Sequence, residues 1–242
     1  MPTSHPAAAA ILIIGALGAL AGCNDDSPDA SANSTSPTAS TSPTESPASE
    51  TPTGPQHISE DLPGVLTPGP YLFSFLTEPG VTAPEALVTV ADGFTAGATW
   101  YIVPPDGNQF LGTYVVARVE RDACGKRSGF FDPGPSVKDL ADALVAQKST
   151  RSSVPKPVTL DGHKGLYVEM ASPSDLGTCT HNRGLWDGRG IYTDGQVDKV
   201  WILHVDGQRL VVDASYAPSE TTRAQINTLT SMAKSLEFVP AE

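Results

Sequence analysis

Three cysteines carry the most reactive side chains in this sequence, and one of them lies far from the other two. A thiol can accept an acyl group, form a disulfide or bind a metal ion. Cys23 follows an uninterrupted apolar run over residues 7–22. A helix that crosses a bilayer needs about 20 apolar residues, so this run is short for a permanent span. It is typical of an export signal, which ends in small residues at its cleavage point.

The four residues Leu20-Ala21-Gly22-Cys23 resemble the lipobox of bacterial lipoproteins. The resemblance implies that residues 1–22 are a signal peptide, that cleavage follows Gly22, and that Cys23 carries diacylglyceryl and palmitate chains. Two or more chains anchor stably, since each buried methylene contributes about 0.8 kcal/mol. We therefore expect a protein attached by lipid to the outer face of the bacterial cell membrane. The alternative is a transmembrane anchor that ends by chance in a cysteine.

Cys124 and Cys179 would then lie outside the cytoplasm, where an even pair of cysteines indicates first a disulfide. Closing a loop of 55 residues would contribute about 4 kcal/mol on the chain-entropy model. The alternative is a metal site formed by both cysteines and His181. Structural zinc requires four ligands at a recognisable spacing, and only a Cys-x-His spacing is visible. We expect the disulfide, with no metal and no cofactor.

This disulfide would bring basic residues from two loops together in an otherwise acidic molecule. Our hypothesis is a binding patch that faces an anion or a glycan, because arginines beside exposed aromatic side chains suit such contacts. Its members would be Arg121, Lys126, Arg127, His181, Arg183, Trp186 and Arg189. The alternative is solvated loop charge that nearby aspartates neutralise and that contributes little.

Carboxylates are the remaining candidates for chemistry, because the sequence contains no nucleophile elbow, zinc-protease motif, phosphate-binding loop or dinucleotide fingerprint. Asp213 is predicted opposite Val200 in a central strand, where a buried carboxylate needs a partner or a shifted pKa. Structural pairing, with Lys199 or a backbone donor, is the first interpretation. The alternative is an envelope hydrolase or transferase that uses Asp213, Asp198 or Asp122, which their convergence in one deep cleft would favour. We expect a non-enzymatic domain that binds a ligand or an envelope partner.

The segment 23–57 is a predicted tether. It consists mainly of Ser, Thr, Pro, Ala and acidic residues, with too little to bury for ordering to be favourable. The net charge is −12, and 11 acidic residues precede Arg118, the first Lys or Arg. An acidic tether is repelled by anionic lipid, and a nucleic-acid partner requires a basic surface that this chain lacks. Residues 58–242 are predicted to form one domain, long enough for a proper core.

The spacing of apolar residues predicts the elements that must position these side chains. Turn residues separate β-rich runs at 71–76, 86–90, 99–103, 112–120, 157–160 and 165–171. A hairpin over 197–216 is predicted to turn at Asp206-Gly207 and, because both its faces are apolar, to lie centrally in a sheet. Helical spacing predicts one helix after a capping box at Ser136 and another over about 219–235.

These elements predict an α+β fold, a mostly antiparallel sheet covered by a mid-chain helix and a C-terminal helix. Residues 161–167, Cys179 and residues 200–214 resemble a domain of actinobacterial exported proteins whose layout is similar to PsbP-like and LpqN-like sandwiches. The resemblance implies an α-β-α sandwich that serves as an accessory or binding protein, and it implies no activity. The expected partners are the membrane, through the lipid, and an envelope protein, a glycan or a small anionic ligand.

Overall fold

The computed structural model describes residues 54–62, 64–125, 129–179 and 183–239. They belong to one compact unit that spans residues 50–242. The predicted signal peptide, the lipobox Leu20-Ala21-Gly22-Cys23 and most of the predicted tether lie outside the described residues. Within these four ranges, no helix is both long enough and apolar enough to cross a bilayer.

The described chain forms sixteen strands and two α-helices. In chain order the elements are β1 (Gln56–His57), β2 (Gly69–Phe73), β3 (Glu85–Val90), β4 (Thr95–Ala98), β5 (Tyr101–Val103), β6 (Gln109–Tyr114), β7 (Val119–Glu120), β8 (Phe130–Phe131), α1 (Val137–Ala146), β9 (Arg151–Ser152), β10 (Lys156–Leu160), β11 (His163–Ala171), a single 3-10 turn (Leu176–Thr178), β12 (Gly184–Trp186), β13 (Arg189–Gly190), β14 (Val197–Val205), β15 (Gln208–Tyr216), α2 (Arg223–Lys234) and β16 (Glu237–Val239).

The predicted α+β class is wrong, because the fold is mostly β. Of the described residues, 42% lie in strands and 14% in helices, and the strands form three sheets beside only two helices. The predicted run 112–120 covers β7, but the short strands β8, β12 and β13 were not predicted, since segments of two or three residues carry no readable alternation. Strands therefore fill much of the covering role that the prediction assigned to helices.

The central sheet has the order β10-β11-β14-β15-β6-β5-β4, with β9 paired to β11, and all its pairs are antiparallel. The predicted hairpin is confirmed as β14 and β15, with Leu203 opposite Leu210 and Ile202 opposite Val211. Its turn is the predicted Asp-Gly pair, at φ 47° and 84°. Positive φ at both turn residues is the geometry that matches the twist of a two-residue hairpin.

One face of this hairpin packs against the sheet β1-β2-β3-β16 and the helix α2. Trp201 and Val212 from the hairpin share a core with Phe73, Val88 and Met232. In this second sheet β1 runs parallel to β2, and the other pairs are antiparallel. The C-terminal helix is thus only part of the cover on this side.

The opposite face packs against α1 and a third sheet, of order β13-β12-β7-β8. The helix begins at the predicted capping box, in which Ser136 and Asp139 each bond the other's backbone N–H. Leu140 and Leu144 on its inner side pack with Ile202. Strands β12 and β13 belong to residues 172–196, which we call the excursion because the chain leaves β11 there and returns as β14. The excursion therefore lies over one face of the central hairpin.

Candidate functional site

A disulfide ties the excursion to the loop that follows β7. Cys124 and Cys179 are bonded to each other with their Cα atoms 4.6 Å apart, which confirms the predicted pair. Both sulfur atoms are used in this bond, so neither is a free thiolate for the metal alternative. The third residue of that alternative, His181, lies outside the described residues.

Arg189 anchors the excursion to the central sheet through a buried ion-pair network. Its Nε donates to Asp213 Oδ2 at 2.5 Å, and its Nη2 donates to Asp198 Oδ1 at 2.6 Å. The same Nη2 also donates to Ser215, and Nη1 donates to the Gly190 carbonyl. The guanidinium and both carboxyl groups are almost entirely shielded from water, at 1% exposure for the arginine and 0% for the aspartates.

The register of β14 and β15 explains why two acids meet one arginine. Asp198 lies opposite Ser215, and Asp213 lies opposite Val200. These two residue pairs are neighbours on the same face of the hairpin, because they are two positions apart along each strand. The two carboxyl groups are therefore diagonal neighbours. Gln196 adds two hydrogen bonds, from Nε2 to both oxygens of Asp198 at 3.0 Å each.

The charges in this network are strongly coupled. The pKa of Asp213 is raised to about 7: burial is the largest cause, the charge of Arg189 opposes it, and the charge of Asp198 adds to it. Burial also raises the pKa of Asp198, although Arg189 and the Gln196 hydrogen bond oppose this shift. Because Asp198 accepts more hydrogen bonds, we assign the retained proton to Asp213. Burial alone would lower the pKa of Arg189, but the interactions with Asp213 and Asp198 outweigh it, so the guanidinium stays charged.

A cavity of about 390 Å³ opens beside this network. Small-molecule sites typically measure about 300–1,000 Å³. Six of its sixteen lining residues are aromatic, and Arg189 contributes the charged group. The lining residues are Trp100, Tyr101, Val103, Gly107, Asn108, Gln109, Phe110, Tyr114, Gly188, Arg189, Tyr192, Thr193, Gln196, Ser215, Tyr216 and Ala217. They come from β5, β6, β15 and the excursion, so no single stretch of sequence contains the cavity.

The aromatic rings of this wall hold one another in place. Trp100 lies 4.5 Å from Tyr101 and 5.0 Å from Tyr114 between ring centroids, and Tyr101 stacks on Phe110 at 5.3 Å. Gly112 makes this packing possible, since a Cβ there would lie 2.5 Å from the Phe110 ring. The Arg189 guanidinium in turn lies 4.4 Å from the Phe110 ring centroid. The ion-pair network and the cavity wall are thus one connected structure.

Tyr114 belongs to the cavity wall, but its hydroxyl group is buried out of reach of a ligand. Its side chain is buried, at 1% exposure, and its hydroxyl finds no hydrogen-bond partner among the described residues. Burial raises the pKa of this phenol well above its ordinary value, although Arg189 opposes the shift, so it stays a neutral donor. A buried polar group without a partner costs roughly 1–3 kcal/mol, so this hydroxyl lowers the stability of the fold.

The predicted binding patch does not form one exposed surface. Arg189 and Trp186 are both buried, the first in the ion-pair network and the second in the core beside Tyr114. Arg183 is exposed and donates to the Leu176 carbonyl, and Arg121 is exposed with its guanidinium over the Phe131 ring. The remaining predicted members, Lys126, Arg127 and His181, lie outside the described residues.

The predicted carboxylates separate into a pair and a single residue. Asp198 and Asp213 converge, whereas Asp122 lines a different cavity, where it accepts hydrogen bonds from Ser149 and the Cys124 backbone. The prediction that Lys199 pairs with Asp213 was wrong. Lys199 donates a hydrogen bond to the Thr230 hydroxyl, and Arg189 forms the ion pair with Asp213.

Sequence reasoning missed that Arg189 pairs with both acids and that aromatic residues from four segments enclose a cavity. One acid in each strand of a hairpin that is apolar on both faces was the available signal, because such acids need a buried cation. No protein-family model matches this chain, and no curated protein is detectably similar to it.

Proposed function

We propose that the protein is a lipoprotein anchored through Cys23 to the outer face of the bacterial cell membrane, and that its domain binds a small ligand in the aromatic cavity without catalysis. The observation that carries the proposal is the cavity itself, a pocket of small-molecule size whose wall contains six aromatic side chains. Aromatic walls with a few convergent polar groups are typical of ligand sites. The lipobox supports the anchoring part of the proposal.

The arrangement of the acids favours binding over catalysis. Asp198 and Asp213 converge, as the enzyme alternative requires, but both are fully buried and neither lines the cavity. A general acid or base must come within hydrogen-bond reach of the substrate. Ser215 does reach the wall, yet its hydroxyl accepts a hydrogen bond from Arg189, and an arginine cannot take its proton. The pair therefore serves to hold Arg189 in place.

Ligand-observed NMR with a mixed panel of small molecules tests this function. The panel contains neutral sugars, nucleosides, aromatic acids and alkylammonium ions. Thr193 lines the cavity, so Thr193→Trp should occlude it and abolish the saturation-transfer signal of every true ligand. Val154, which is 78% exposed, is not among the lining residues, so Val154→Trp is the matched control and should keep these signals. Binding that survives Thr193→Trp would contradict the assignment of the site.

A further inference from the structure

We propose that the ligand of the aromatic cavity is an uncharged, largely apolar ring compound, held by ring contacts rather than by hydrogen bonds or by charge. This inference rests on the proposed function, because it names the chemical class of molecule that the cavity binds. Three properties of the wall carry it: its buried polar side chains are already bonded within the protein, its charge is compensated, and the surface that a ligand can reach is mainly aromatic.

The buried polar side chains of the wall have partners within the protein. Four neutral ones are no more than 8% exposed: Asn108, Gln109, Gln196 and Ser215. Asn108 donates to a carboxylate oxygen at 2.9 Å and to a backbone carbonyl at 3.3 Å. Gln196 donates to Asp198 and accepts from a backbone N–H, each at 3.0 Å. Gln109 donates to Asn108, and Ser215 accepts from an arginine. A ligand that needs several hydrogen bonds would have to displace bonds that the fold already makes, which is costly.

The charge in the wall is compensated. Among the described lining residues, Arg189 alone carries a formal charge, and each of its three side-chain nitrogens already donates to a protein acceptor. Asp213 keeps its proton up to about pH 7, so the guanidinium is balanced by the single charge of Asp198 below that pH. A charged ligand would lose its hydration in the cavity and meet no free opposite charge on this wall.

The surface that remains for a ligand is mainly aromatic. The lining side chains that are at least partly exposed are Trp100, Tyr101, Val103, Phe110, Tyr192, Thr193 and Tyr216. Contacts among Trp100, Tyr101 and Phe110 fix three of these rings before a ligand arrives. A ring compound that packs on them removes apolar surface of both partners from water, which is favourable without any hydrogen bond.

The experiment compares naphthalene derivatives that share one ring system and differ in charge, by NMR titration of the purified protein at pH 6.5. The neutral probe is naphthylmethanol, the anion is naphthylacetate and the cation is naphthylmethylammonium; methyl glucoside serves as a neutral polar probe. We expect naphthylmethanol to bind about tenfold or more tightly than each of the others, because charged and hydroxyl-rich molecules lose hydration that this wall does not replace. Thr193→Trp should abolish its binding, and Val154→Trp should keep it.

Tyr192 supplies a second readout, because its ring and its hydroxyl group can be removed separately. Tyr192→Ala should weaken naphthylmethanol binding by about fivefold, the size expected for one lost aromatic contact. Tyr192→Phe should restore the affinity, because the ring and not the hydroxyl makes the contact. Tyr192 is 71% exposed, so both variants should keep the urea midpoint of the wild type. Phe130→Ala is the matched control, since Phe130 is 43% exposed and is not among the lining residues.

The outcomes separate the two proposals. Equal or tighter binding of a charged naphthalene or of methyl glucoside overturns the apolar assignment, and so does an affinity in Tyr192→Phe as low as in Tyr192→Ala. If only polar or charged members of the mixed panel bind and Thr193→Trp blocks them, the apolar assignment falls and the proposed function stands. If no molecule of either set binds, both fall.

Discussion

Replacing Asp213 by asparagine should make the stability of the fold less sensitive to pH. The folded protein holds a proton on Asp213 up to about pH 7, whereas an aspartate in the unfolded chain releases it near pH 3.9. Between these pH values the folded state binds more protons than the unfolded state. The free energy of unfolding therefore falls as the pH rises through this window. The desolvated carboxylate is the physical cause.

The expected size follows from the same pKa. One pKa unit corresponds to about 1.36 kcal/mol, so this site should cost the wild type about 3 kcal/mol between pH 5 and pH 8. Asp213→Asn places a neutral amide where the protonated acid stood. Its oxygen can accept from Arg189, and its NH₂ can donate to Asp198. The variant should resemble the wild type at pH 5 and exceed it by about 3 kcal/mol at pH 8.

Urea unfolding followed by tryptophan fluorescence at pH 5, 6, 7 and 8 measures this difference. Asp92→Asn is the matched control, because it removes the same charge from an exposed position. Its effect on the free energy of unfolding should be small at every pH. If Asp213→Asn shifts stability by the same amount at pH 5 and pH 8, the assignment of the retained proton is wrong.

Three further changes probe other parts of the structure. Gly165→Ala should destabilise the fold by about 3 kcal/mol or more in urea unfolding, because its Cβ would lie 2.0 Å from a backbone carbonyl oxygen of β14; a smaller loss would mean that the strands can separate. Cys124→Ala combined with Cys179→Ala should cost about 4 kcal/mol, checked against the reduced wild type, which should show the same loss. Cys23→Ala should move the protein from the membrane to the soluble fraction, and mass spectrometry of the native amino terminus should find acyl chains on Cys23; an unmodified residue there would end the lipoprotein proposal.

Local features of the fold were predictable from the sequence. The hairpin of β14 and β15 has the predicted register because an Asp-Gly turn and alternating apolar residues determine it within 20 residues. The start of α1 has the predicted capping box, since Ser136 and Asp139 are three positions apart. The disulfide was predictable because two cysteines remained for one bond.

Apart from the disulfide, features that join distant segments were not predictable. Arg189 contacts Asp198 and Asp213 because the excursion folds back over the hairpin, and no periodic pattern in the excursion indicates this. Trp186 was predicted to be a member of the exposed binding patch, although it lies in the core at 1% exposure. The short strands around Trp186 are defined only by their hydrogen-bonded partners in the structure, as where Trp186 in β12 pairs with Val119 in β7. The fold class was wrong for the same reason.

The ion-pair network also predicts which residues distant relatives of this protein should retain together. An arginine lies nine residues before the first acid and 24 before the second, and the hairpin turn falls between the two acids. Losing the arginine alone would strand two carboxyl groups in the interior, at a cost of roughly 3–5 kcal/mol. The three positions should therefore change together during divergence. A chain that replaces all three by apolar residues of similar volume can retain the same β architecture.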